Sequence, residues 1–196
     1  MRLPPQLVEE RVALIQEVEK QIVTPPPLRA IEEAPESFLT QAGVIKRTNL
    51  QREKYGLPPL KESPELNASA VIKTQDMLAK QYVSHLSPLG EGVADLVKRV
   101  GYQFIDLGEN LALGNFQDDE ILVQGWMDSP GHQANILSLQ YQEIGAAVLR
   151  GELEGKITWL AVQHFGLPLA ACPQPSEAIL AKIETNKLSL KNWKLL

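Results

Sequence analysis

A chain of 196 residues, 44% hydrophobic and 22% charged, has the composition of an ordinary globular protein and the length for one core plus appendages. Its formal net charge of −5 and the lack of any Lys/Arg-rich block argue against nucleic-acid binding, which needs a basic face. The single cysteine, Cys172, cannot close a disulfide within the chain, and no run of about 18 apolar residues offers a membrane span.

The first residues, Met1 to Gln6, lack a basic region followed by an apolar one, so no signal peptide is visible. Residues 7 to 23 then set Val8, Val12, Ile15 and Ile22 among charged side chains, which predicts an amphipathic helix. Thr24-Pro25-Pro26-Pro27 ends it and reads as a stiff linker, because three prolines remove donors and favour an extended chain. Residues 1–36 are therefore expected to be a helix and a Pro-rich linker, with the core domain over 37–168 and a tail over 169–196. A helix is predicted over 40–54, with Val44, Thr48 and Gln51 on one face. Ser63-Pro64-Glu65 reads as an N-cap, a first-turn proline and an early acid, opening a long helix to about Tyr82. Its inward face would carry Leu66, Ala70, Met77 and Leu78.

After a loop at Ser84–Pro88, a short helix from Gly92 to Val100 should end at Gly101. Phe104 to Leu113 reads as extended. Asp118 to Met127 reads as helical, with Ile121, Leu122 and Trp126 on one side. Two apolar strands, Ile144–Leu149 and Ile157–Phe165, are joined by a hairpin loop over Gly151–Gly155. A final helix is expected from Ser176. Early helices and late strands predict an α+β fold with a small antiparallel sheet.

Reactive side chains fall in three turn-bracketed loops: Ser84-His85, Gly108-Glu109-Asn110, and Ser129-Pro130-Gly131-His132. Pro130-Gly131 suits a tight turn with glycine at positive φ, and Asn135 lies three residues beyond His132 on the same face. Two imidazoles and a carboxylate suit a borderline divalent ion, zinc first, or a general acid–base pair. A histidine bonded to a loop carbonyl and a glutamate accepting backbone amides are the plain structural alternatives. Trp126 is expected in the core, Asn110 and Asn135 on loop backbone, and Cys172 as an inert small residue. His164, near a strand end, points either to the cleft or to solvent. No Gly-x-Ser-x-Gly elbow supports a serine hydrolase.

The order of these segments resembles a known family. Gly43-Val44-Ile45-x-x-Thr48-Asn49-x-x-Arg52 and Gly56-Leu57-Pro58-Pro59-Leu60 are similar to the opening of the CAP (SCP-like) superfamily of cysteine-rich secretory, venom-allergen and pathogenesis-related proteins. Ser84-His85, Gly108-Glu109-Asn110-Leu111-Ala112, Trp126 to Leu137, Glu143-Ile144-Gly145 and Gln163-x-Phe165-Gly166 follow in the family's order. The likeness covers about residues 40 to 166 and resembles the bacterial, disulfide-free branch.

The resemblance implies a three-layer α-β-α sandwich, here with N- and C-terminal helical extensions, and an open cleft lined by two histidines and acids. His85, Glu109 and His132 match three members of the family's tetrad and would be the metal ligands. Where many eukaryotic members place the second glutamate, this chain has Ser129. Glu143 is acidic and near in sequence, without an assigned role. The cleft would comprise His85, Glu109, Asn110, Ser129, His132, Asn135, Glu143 and His164.

Three functions compete. The first is a binding module, extracellular or in the cell envelope, whose cleft holds a divalent cation and a small molecule, lipid, glycan or peptide. The second is a metal-dependent, peptidase-like hydrolase in which Glu109 activates water on a metal held by His85 or His132. The third is a structural protein with a vestigial cleft and helix-mediated self-association.

Overall fold

The computed structural model describes residues 24–30, 34 and 36–171. The helices expected over 7 to 23 and from Ser176, together with Cys172, lie outside the described residues. In chain order the elements are β1 (Leu28–Arg29), α1 (Gln41–Lys54), β2 (Lys61–Glu62), α2 (Pro64–Lys80), α3 (Val93–Arg99), β3 (Phe104–Leu113), α4 (Asp119–Asp128), α5 (Pro130–Ile136), β4 (Glu143–Leu153) and β5 (Lys156–Pro168), with a 3₁₀ turn at Leu169–Ala171.

The sheet order is β1-β3-β5-β4-β2. The long strands β3, β5 and β4 are antiparallel, and the two-residue strands β1 and β2 add parallel at the edges. Helices cover both faces. On one, Val44 and Ile45 of α1, Leu122 and Trp126 of α4, and Ile136 of α5 pack on Ala112, Ala146, Ala161 and Phe165. On the other, Ala70 and Met77 of α2 pack on Leu111, Ala147, Leu160 and Val162. The alternation of Leu160 and Val162 with Ala161 and Phe165 along β5 follows from the period-two pleat. The fold is the α+β, α-β-α sandwich that the sequence implies.

The expected caps hold. Ser63 accepts from the Leu66 amide, and Pro64 opens α2. Gly101 has φ +81° just beyond α3. Three details differ. Ile121 is 49% exposed, and Leu122, Val123, Trp126 and Met127 form the buried stripe of α4 instead. The loop of the β4–β5 hairpin is only Glu154-Gly155, both at positive φ, the two-residue turn that matches strand twist, so both strands run longer than expected. Gly131 does not have positive φ: Pro130, pre-set for helix, starts α5 there rather than a tight turn.

Residues 24–30 do not stand off as a linker. Leu28 pairs with Ala112, Arg29 with Leu113, and the Ala30 amide donates to the Leu113 carbonyl (3.0 Å). Leu28 and Ala30 pack on the core of that face.

Candidate functional site

The site forms at the β3 edge, beyond the point where β1 stops pairing. Glu109 lies directly opposite His164 of β5, on the face that α2 covers. His85 comes from the loop after α2, which ends at Gln81 in the left-handed conformation. His132 comes from the other face, in the first turns of α5. Loops from both layers thus meet around one strand edge.

Glu109 is 2% exposed and fully engaged. His85 Nδ1–H donates to its Oε1 (2.6 Å) and His164 Nε2–H to its Oε2 (2.9 Å). Burial would raise the carboxyl pKa, but the hydrogen bonds from His164 and His85 outweigh it and hold the value at about 2. Ser69 Oγ lies 2.7 Å from His164 Nδ1 and 2.9 Å from the Leu66 carbonyl. The order Ser69–His164–Glu109 has the spacing of a nucleophile, base and orienter. Ser69 and His164 are both 0% exposed, however, so the chain is a buried brace and no nucleophile.

His85 has acceptors on both ring nitrogens, because its Nε2–H donates to the carbonyl of Pro25 (2.6 Å). Both nitrogens therefore carry protons, and the ring is an imidazolium. Burial pulls its pKa down; the bonds to Glu109 and Pro25 outweigh that and raise it above the ordinary value. The backbone of His85 is held too, since Lys73 Nζ donates to its carbonyl (2.8 Å). Lys73 is 1% exposed, its ammonium lies 5.2 Å from the Tyr82 ring centre, and burial lowers its pKa against the opposing pull of Glu109, Asp76 and Glu91.

His132 is 1% exposed. Its Nδ1 shares a hydrogen bond of 2.8 Å with Ser129 Oγ, and its Nε2 has no partner among the described residues. Burial, and then the charge of His85, push its pKa down to about 4, so it is neutral at pH 7. A ladder of amides, buried at Asn110 and Gln163 and half-buried at Asn135, sets its backbone. Asn110 Nδ2 donates to the His132 carbonyl (3.2 Å) and to Gln163 Oε1 (3.1 Å). Gln163 Nε2 donates to Thr48 Oγ1 (2.6 Å), and Asn135 Nδ2 donates to Asn110 Oδ1 (2.9 Å) and the Glu109 carbonyl (3.2 Å).

Of the expected cleft residues, His85, Glu109, Asn110, Ser129, His132 and Asn135 assemble here. His164 points neither to an open cleft nor to solvent but beneath the site, onto Glu109. Glu143 stands apart: it accepts from the Tyr102 hydroxyl (2.9 Å), lies 3.9 Å from Lys61 Nζ, and lines a separate hollow of about 430 Å³. Trp126 is in the core, its Nε1–H donating to the Leu111 carbonyl. Sequence reasoning missed Ser69, Lys73, Gln163 and Pro25. Lys73 sat in plain view on the α2 stripe, three residues after Ala70 and four before Met77.

Among the described residues, no group of three or more His, Cys, Asp or Glu side chains is placed to hold a metal ion. The donor chemistry explains this. Both Glu109 oxygens are occupied, His85 commits both N–H groups to acceptors, and within the trio His132 Nε2 alone has no partner among the described residues. In this closed arrangement the trio does not suit zinc.

The Cysteine-rich secretory protein (CAP) family profile matches residues 45–165. The uncharacterized protein YkwD of Bacillus subtilis (strain 168) is 38% identical over 116 residues, 59% of this chain and 43% of that protein. The uncharacterized membrane protein YlbC of the same organism is 31% identical over 107 residues, 55% and 31% of the two chains. The chain thus spans less than half the length of these curated relatives. Among solved structures, an extracellular SCP-domain protein from Bacillus anthracis str. Ames superposes with TM-score 0.56 and 28% identity, over 64% of this chain and 39% of that one. An outer surface protein from Borrelia burgdorferi superposes with TM-score 0.56 at 20% identity, over 64% and 90%, a likeness of fold alone. The matched profile spans most of the α1 helix, both sheet faces and every histidine of the site, and the chain belongs to the cysteine-rich secretory protein (CAP) family.

Proposed function

We propose that this CAP domain is an extracytoplasmic binding module whose ligand is held at the β3 edge between His85 and His132. One observation carries the reading: a buried, neutral imidazole nitrogen with no partner among the described residues, His132 Nε2, stands beside a fixed imidazolium–carboxylate pair. A buried polar atom left without a partner costs about 1–3 kcal/mol, and a ligand that satisfies it recovers that cost. The extracellular description of the Bacillus anthracis SCP protein supports action outside the cytoplasm.

A divalent cation, zinc first, belongs to this proposal only with the Pro25 carbonyl moved off His85, which frees a second ring nitrogen. Small molecules, lipids, glycans and peptides remain the ligand classes. Hydrolysis is the weaker reading. Glu109 has both oxygens engaged and is not free to activate water, and Ser69 is sealed from solvent.

Thermal-shift screening of Leu28→Asp, which loosens residues 24–30 from the core and from His85, and of the Leu28→Asp/His132→Ala double variant, against zinc and representatives of those ligand classes, tests the reading. A ligand should raise the midpoint of Leu28→Asp and leave that of the double variant unmoved. Equal shifts in both chains, or none in either, overturn it. Chelator-sensitive turnover of a peptide substrate would establish the hydrolase instead.

A further inference from the structure

Residues 24–30 lie along the site like a bound peptide. Because β1 runs parallel to β3 with Leu28 opposite Ala112, the register counted back three residues brings Pro25 level with Glu109. There its carbonyl takes the His85 Nε2–H at 2.6 Å, and the Pro25 ring is buried. Prolines 25, 26 and 27 have no N–H, so they cannot extend the ladder that begins at Leu28. The β3 carbonyl that the next rung of such a ladder would use, that of Glu109, already accepts from Asn135.

The bed under this segment is carved from glycine. A Cβ at Gly131 would stand 2.7 Å from Pro25 Cβ, one at Gly125 3.0 Å from Leu28 Cδ2, and one at Gly114 2.4 Å from Ala30 Cβ. Glycines in α5, in α4 and in the bend just after β3 thus let the segment approach the domain closely at three successive points.

We propose that the site is a groove for an extended, proline-containing polypeptide, and that residues 24–30 fill it in cis as a strap excluding ligands from other molecules. Recognition comes from a carbonyl seated on His85, an apolar side chain seated at Gly125, and tolerance of backbone without N–H groups. The inference rests on the binding-module reading and names its ligand class and its closure. The tethered segment competes at high effective concentration, so the closed chain excludes a free peptide of the same sequence.

The test uses the full chain. The protein has three histidines, and His132 and His164 are 1% and 0% exposed, so carbethoxylation mapped by mass spectrometry reports on His85. Leu28→Asp loosens the strap without altering the groove, and Gly131→Leu evicts Pro25 from the groove side. His85 should be protected in the native chain and modified about tenfold faster in Leu28→Asp, the factor that loss of one half-buried leucine allows. A synthetic peptide of residues 24–30 should restore protection to Leu28→Asp and should not bind the native chain. Ready modification of His85 in the native chain overturns the proposal, as does protection that survives in both variants. An exposed His85 in Leu28→Asp that the peptide fails to cover also overturns it. In that last case a ligand dependent on His132 leaves the binding-module reading standing.

Discussion

Glu109 stays ionised at 2% exposure because two imidazoles take its two oxygens, and this has a pH signature. Its folded pKa of about 2 lies below the ordinary 4.5, so its contribution is complete above that ordinary value and lost as pH falls through about 2. His132 has the opposite chemistry and the same direction. Its folded pKa of about 4 lies below 6.5, so the unfolded chain takes up the proton first and stability falls between those values. Urea unfolding of the native chain should therefore weaken on acidification in two steps. His132→Gln should lack the first step and Glu109→Gln the second, and a single step unchanged by either substitution contradicts the assignment. His85, Glu109 and His132 were legible because each sits in a short motif bracketed by turn residues. His164 was visible but not interpretable: strand alternation left it open between cleft and solvent, and its partner Glu109 is set by the β3–β5 register.

At the scale of elements, Arg52 ties α1 to the loop after α5. Its Nε donates to the Pro58 carbonyl (2.9 Å), and its Nη1 donates to the Ile136 (2.7 Å) and Ser138 (2.8 Å) carbonyls, at 1% exposure. Arg52→Met leaves three acceptors unpaired and should cost about 3 kcal/mol in urea unfolding. Arg52→Lys should recover only part of this, because an ammonium cannot reach the same fork of carbonyls. In the hairpin, Glu154 holds φ 51°, a conformation better suited to Asn. Glu154→Asn should stabilise by roughly 0.5 kcal/mol, read as a rise in the thermal midpoint.

Helices α2 and α3 were legible because caps and breakers are local signals. The start of α5 was not, because Pro-Gly serves both a turn and a helical first turn, and two adjacent residues do not choose between them. Strand ends were underestimated for a related reason. Glycines 151 and 155 read as one long loop, whereas a two-residue turn needs only the second.

For the molecule as a whole, the α+β class was legible from the order of the elements and the layered sandwich from the resemblance carried by the motifs, and the role of residues 24–30 was not. Three consecutive prolines have no hydrophobic period, and their partner surface is made of glycines, which leave no pattern of their own. Removing residues 1–36 should therefore do more than shorten the chain. It strips Leu28 and Ala30 from the core and should lower stability by about 1–3 kcal/mol in denaturant titration. An unchanged midpoint would mean that this segment contributes nothing to the domain.

The parallel sense of β1 has one more result. Thr24 and Pro25 lie at the His85 end of the segment, while Leu28 is anchored further along. Any load applied at Thr24 is felt first where Pro25 sits on His85 and Gly131, and only then by Leu28. Contacts stressed one after another peel, whereas contacts stressed together resist shear, so tension from the amino-terminal side is the gentlest way to bare the imidazole.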